Sequence, residues 1–280
     1  MVDRVGFGME IASKQLSRFE RTARVLVLAL AFLGVVSAAP SMAQTVAPEL
    51  PPVPKQCGDT GVMGLPLPNS SQALQQRKKL TIVAIGASSS AVLGGGWRSG
   101  GPPLLEQVLE KTIKGLDVEI INRGFSGELA EAAGERIKIE VALNHPDIVL
   151  WQVGTNDALA HVPVDNFRLS VSNTVRWLKA HNIDVILVGL HYMKHLAKDP
   201  YYQAIRKSLG EIASGENVLR IGRYEAMEVL ARTMAAAGQP EQEVFGLTEE
   251  GYNCMAQYIA RNITVGLFAK RPKTAPSAPN

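Results

Sequence analysis

Cysteine is nearly missing from this chain: there are two, Cys57 and Cys254, in 280 residues. At most one bridge is open to it, so a hydrophobic core must hold the fold, and 46% hydrophobic with 20% charged residues suffices for one domain. Excess charge of one sign is also scarce. The net charge is +3, and the five bases and three acids of residues 1–43 account for +2 of it, which leaves the rest near +1. No global basic field marks a nucleic-acid partner. Beyond residue 36 no apolar run is long enough to cross a membrane. Histidine is limited to five residues, none after His195, which removes the usual neutral-pH base from the rest of the chain. Gly94-Gly95-Gly96 lacks the Lys-Ser/Thr of a phosphate loop. The pair His191 and His195, four apart, has no clear third ligand. Neither a metal nor a cofactor is expected, and no internal repeat is present.

What is there begins with a basic segment up to Arg24, an apolar run over 25–36 and the small-x-small pattern Ser41-Met42-Ala43. Residues 1–43 therefore read as a secretory signal peptide cut near Ala43, leaving an exported, periplasmic or secreted chain with no stable membrane span. Residues 44–78 are proline-rich and without sustained periodicity, and read as an extended arm or linker. Residues 269–280 read as a polar tail. In an oxidising compartment Cys57 and Cys254 are a candidate staple between arm and domain, although their spacing also permits two free thiols.

Between arm and tail, over 79–268, apolar β-branched runs alternate with amphipathic segments. Leu80, Ile82, Val83, Ala84 and Ile85 read as a strand buried on both faces, ended by Gly86. Further strands are expected over 118–121, 148–153, 185–190 and 218–221, and helices over 104–113, 128–143, 164–180, 201–212, 224–237 and 249–267. In the 164–180 segment Phe167, Val171, Thr174, Val175 and Leu178 share one face. Five strands alternating with helices imply an α/β protein with a parallel sheet covered on both sides.

Such a sheet places its strand C-termini on one rim, where ligands bind. Three loops there are chemically loaded: Gly86-Ala87-Ser88, Asn122-Arg123-Gly124-Phe125-Ser126-Gly127 and Gly154-Thr155-Asn156-Asp157. Ser88 is a candidate nucleophile, and Gly124 and Asn156 can offer backbone and side-chain N–H donors to an oxyanion. A nucleophile and donors on one rim suggest acyl transfer.

IGAS, NRGFSG and VGTND, in this order and each following a strand, resemble the first three blocks of the SGNH hydrolases, also called GDSL esterases and lipases. The resemblance spans roughly residues 80–267. It implies a three-layer α/β/α sandwich with five parallel strands, with Ser88 as nucleophile and first oxyanion donor, Gly124 as the second and Asn156 as the third. Two departures stand out. The family's Gly-Asp-Ser is Gly86-Ala87-Ser88, and the last block, which should read DxxH before Gly251-Tyr252, has Glu243 in the aspartate place and Gly246 in the histidine place. A relocated base must come from the remaining histidines. His145 and His181 precede strands, at the wrong end of the sheet; His161, His191 and His195 follow strands, and His191, directly after Leu190, is the best placed. Its plainer role is a substrate-contacting or surface imidazole. Gln152 and Asp157, which flank the GTND glycine, and His195 are candidate substrate contacts; Gln152 otherwise satisfies buried polar groups and Asp157 otherwise braces its loop. Trp151 reads as core, and Trp97 and Arg98 as a possible border of the cleft.

The expected function is an exported serine esterase acting on acyl or acetyl esters of small molecules or glycans through a Ser88 acyl-enzyme. The alternatives are a catalytically silent relative that binds a glycan or cell-envelope partner, and an acyltransferase, which would share the acyl-enzyme step. Oligomeric state is open.

Overall fold

The computed structural model describes residues 48–57, 64–86, 103–238 and 249–269. Ser88, Trp97, Arg98, Glu243, Gly246, the signal-peptide segment and the tail from residue 270 lie outside the described residues.

Five strands build the sheet: β1 (Lys79–Gly86), β2 (Asp117–Gly124), β3 (Ile148–Gln152), β4 (Asp184–Val188) and β5 (Leu219–Ile221). Their order is β2-β1-β3-β4-β5, and every pairing is parallel. The helices are α1 (Pro68–Arg77), α2 (Leu104–Thr112), α3 (Ala130–Asn144), α4 (Thr155–Leu159), α5 (Val164–Ala180), α6 (Pro200–Gly215), α7 (Arg223–Ala236) and α8 (Glu249–Phe268), with short 3-10 turns at Lys55–Cys57 and Lys194–Leu196.

The period-two alternation of strand side chains sorts the core into two halves. Leu80, Ile82 and Ala84 of β1, Ile148 and Leu150 of β3 and Ile186 and Val188 of β4 pack toward α2, α7 and α8. Val83, Ile85, Val149, Trp151, Val185 and Leu187 pack toward α3, α5 and α6. The helix stripes read from the sequence fill these halves. Phe167, Val171, Val175 and Leu178 of α5 are fully buried, as are Met255, Ile259 and Ile263 of α8 to within 1%. Full burial of one such side chain stabilises by about 1.5–3 kcal/mol. Trp151 is core, as expected.

Element boundaries move by up to three residues from the sequence reading. The largest changes are in α6 and in β2, which extends over Asp117–Gly124 because each of its residues finds a partner on β1. A correction falls on the arm. The stretch read as extended contains α1, ten residues with Pro68 at its start, and it is docked. Ser70 is fully buried, and its backbone N–H and its hydroxyl both donate to Asp184 Oδ2, at 2.8 and 2.7 Å. Asn69 Nδ2 donates to Asp184 Oδ1 at 3.0 Å. Leu67 N–H donates to the Gly266 carbonyl, and the approach is so close that a Cβ at Gly266 would lie 2.8 Å from the Leu65 carbonyl oxygen. Periodicity could not reveal α1, because only Ser70 and Ala73 of its ten residues are buried and its docking bonds go to Asp147, Asp184 and Leu267, 70 or more residues away.

Cys57 and Cys254 form a disulfide, with Cα atoms 5.5 Å apart and a sequence separation of 197. Tyr258 donates its hydroxyl hydrogen to the Cys57 carbonyl, and Arg261 Nη1 donates to the Pro51 carbonyl at 3.1 Å. In the chain-entropy model a crosslink closing so long a loop is worth about 5 kcal/mol. The sandwich of five parallel strands between helical layers is the fold expected from the sequence.

Candidate active site

The C-terminal ends of β1 and β2 meet where Gly86 pairs with Gly124. Gly86 has φ +128°, and a Cβ there would sit 2.2 Å from the Gln152 carbonyl oxygen. Only glycine lets β1 leave the sheet this close to β3. The residues that follow carry Ser88, outside the described residues.

The second and third rim loops are locked to each other. Asn156 Nδ2 donates to the Glu128 carbonyl at 2.9 Å, and Asp157 Oδ1 accepts the Ala130 N–H at 2.9 Å. Asp157 is 1% exposed, and burial raises its carboxyl above the usual aspartate range against the opposing pull of backbone N–H groups. This is a loop brace. Arg136 completes the lock: Nε and Nη2 bind both carboxylate oxygens of Glu128, at 2.7 and 2.5 Å, while Nη1 donates to the Arg123 carbonyl at 2.8 Å. Such a bidentate pair fixes orientation as well as position. Sequence reasoning overlooked Arg136 and Glu128; their eight-residue separation carries no motif.

The two described oxyanion candidates are both engaged. Gly124 N–H donates to Asn122 Oδ1 at 3.0 Å, so it must share or exchange that partner to serve a substrate. Asn156 uses one amide hydrogen on Glu128, and a carboxamide carries a second. Gln152, 6% exposed, has no partner for Oε1 among the described residues and lines a crevice of about 10 Å³ with Gly86, Glu128, Thr155 and Asn156. That is room for about one water.

His191 stands on this rim, beside the GTND loop. Its N–H donates to Thr155 Oγ1 at 2.9 Å, and Tyr202 donates its hydroxyl hydrogen to the His191 carbonyl. Nε2 is buried, with no partner among the described residues. Burial, and then the charge of Arg223, push its pKa down to about 3, so the imidazole is neutral at neutral pH. Arg223, the first residue of α7, was not singled out from sequence. It is 2% exposed, and Nε and Nη1 have no partner among the described residues. Burial lowers its pKa to about 10, opposed by Tyr202 and Tyr252.

The other histidines are elsewhere. His145 and His181 lie at the opposite end of the sheet, before β3 and β4, and both are exposed. His161 packs on Tyr201 with ring centroids 4.8 Å apart, and His195 is exposed on the Lys194–Leu196 turn.

An all-parallel sandwich of this order, with glycine and asparagine loops on one rim, is the fold of the SGNH hydrolases, shared with other flavodoxin-like proteins. The chain belongs to the non-GDSL lipase-like family, whose model matches residues 53–268, and with it to the SGNH hydrolases. It is 25% identical over 142 residues to the esterase TesA of Pseudomonas aeruginosa, an alignment covering 51% of this chain and 69% of TesA. Among solved structures, the lipase/acylhydrolase of Enterococcus faecalis superposes with a TM-score of 0.51 at 23% identity, over 69% of this chain and 99% of that one. Axe2, an acetylxylan esterase of Geobacillus stearothermophilus solved as a catalytic mutant, gives 0.53 at 20% identity, over 67% and 94%. At these identities the structures speak to the fold. The family is esterase- and lipase-like, which implies small-molecule ester substrates.

Proposed function

We propose that this chain is an exported serine ester hydrolase acting on acyl or acetyl esters. One observation carries the reading: β1, β2 and β3 end on a single rim, where the Gly86 exit of β1 is paired to Gly124 and the loop after β2 is braced to Asn156 through the Glu128 carbonyl. In the proposed reaction Ser88 Oγ attacks the acyl carbonyl while its proton passes to His191 Nε2. The oxyanion takes hydrogen bonds from the Ser88 and Gly124 N–H groups and Asn156 Nδ2. The proton then goes to the leaving alcohol, and water, deprotonated by the same imidazole, releases the acid and restores Ser88. Gln152 and His195 are candidate substrate contacts within the same proposal. Export is part of it too, supported by the order of the basic, apolar and small residues before position 44 and by a disulfide of the kind that persists in oxidising compartments.

A second reading, a silent relative that binds a glycan or envelope partner, draws on the Gly246 substitution and on the weak basicity of the resting His191. Turnover of short- and long-chain esters, with fluorophosphonate labelling located by mass spectrometry, separates the two. Hydrolysis requires label on Ser88 and at least a roughly 1,000-fold loss in Ser88→Ala. His191→Ala should lose a roughly comparable factor. No label and no turnover would leave the binding reading.

A further inference from the structure

A buried guanidinium ordinarily faces a carboxylate, because a single charge in a low-dielectric interior is costly unless paired. Arg223 is 2% exposed, yet no described carboxylate answers it. Glu225, two residues on, turns to Arg206 at 3.0 Å and Arg220 at 3.3 Å. The groups around Arg223 are the neutral imidazole of His191 and the Tyr202 and Tyr252 phenols, with no described carboxylate among them. The position matters as much as the charge. Arg223 opens the helix after β5 and His191 follows β4; the two strand ends are joined where Gly189 N–H donates to the Ile221 carbonyl at 3.1 Å. Both residues therefore sit on the rim that carries the GTND loop, and each presents a buried nitrogen without a partner among the described residues.

We propose that Arg223 and His191 form an anion subsite of the active site, and that the ester this protein hydrolyses carries a carboxylate close to its acyl linkage. The inference rests on the hydrolase reading above and adds the substrate class. The guanidinium supplies a planar fork matched to a carboxylate's two oxygens, and the neutral imidazole, whose Nε2 lone pair serves Ser88, adds its one N–H as a donor. A monoanion balances the one charge of Arg223, whereas a dianionic phosphate would leave an excess charge buried. Binding has a second effect. With the Arg223 charge balanced, His191 becomes a stronger base, so an anionic ester gains in kcat as well as in KM.

The test compares 4-nitrophenyl hemiglutarate with 4-nitrophenyl valerate, which places a methyl where the first has its carboxylate. The wild type should favour the hemiglutarate by about 10-fold or more in kcat/KM, Arg223→Lys should keep part of that preference and Arg223→Met should abolish it. Thermal melting with monomethyl glutarate is read in parallel: the wild type should melt higher with the probe, Arg223→Met should not respond, and the unliganded Arg223→Met should melt no lower than the wild type. Equal preference in the wild type and Arg223→Met overturns the proposal. So does a large drop in the melting temperature of Arg223→Met, or a marked gain of the preference in Glu243→Gln, since either would give Arg223 an internal partner. Inorganic phosphate stabilising as strongly as monomethyl glutarate overturns the carboxylate assignment. Should fluorophosphonate fail to label Ser88, the hydrolase reading falls and the melting series alone decides the anion subsite.

Discussion

The two ends of the sheet treat their buried polar groups differently. At the end where the strands begin, Asp184 accepts three hydrogen bonds from Asn69 and Ser70, and Asp147 accepts the Thr81 N–H at 2.9 Å and pairs with Arg77 at 2.5 Å. Both of these carboxylates have donors, which come from the arm and the start of β1. At the end where the strands finish, Gln152 Oε1, His191 Nε2 and two nitrogens of Arg223 are buried without partners among the described residues. Buried polar atoms normally find partners, so a cluster of exceptions marks a place kept for something else. The first rim is closed by structure, and the second is the one to which the proposed anion subsite assigns a ligand.

Three substitutions would sharpen or break that contrast. The largest effect is expected from Gly86→Ala, where a left-handed φ of +128° and a Cβ 2.2 Å from the Gln152 carbonyl oxygen would displace the exit of β1. A loss of about 3–4 kcal/mol in urea unfolding is expected, together with loss of fluorophosphonate labelling. Wild-type stability in this variant would contradict the geometry. Next comes Asp184→Ala at the closed end. It strands the Ser70 donors in a buried place and should cost about 3 kcal/mol, while labelling of the folded fraction stays intact. If labelling were lost without a change in stability, the division of labour between the two rims would be wrong.

The third prediction concerns pH. His191 has a folded pKa of about 3, lowered from 6.5 by burial and Arg223. The unfolded chain therefore takes up the proton first. The stability tied to neutral His191 is complete above about pH 6.5 and is lost as pH falls toward the folded value. Between pH 7 and pH 4 the wild type should lose on the order of 2–3 kcal/mol from this group, and His191→Gln should remove that part of the slope. Chemical unfolding at several pH values reads it directly; an unchanged slope in the variant would mean that His191 titrates normally.

Much of this arrangement was legible in the residues. Strands and helices followed from period: Val83 and Ile85 against Ile82 and Ala84 in β1, and the Phe167, Val171, Val175 and Leu178 stripe in α5. The rim loops were legible because glycine and asparagine clusters directly follow buried strands. The placement of His191 was legible as well, since topology puts whatever follows β4 on the same rim.

The sequence by itself determined the parallel α/β sandwich, the three loaded loops and the absence of a histidine after His195, because each depends on local pattern or on order along the chain. Tertiary structure alone decided that α1 docks on Asp184 and that Cys57 meets Cys254. It also decided that Arg136 and Glu128 brace the second loop and that Arg223 is buried beside His191. An arginine at a helix start is usually solvated. This one is 2% exposed and faces no carboxylate among the described residues, and burial is a property of neighbours that no local stretch of sequence records.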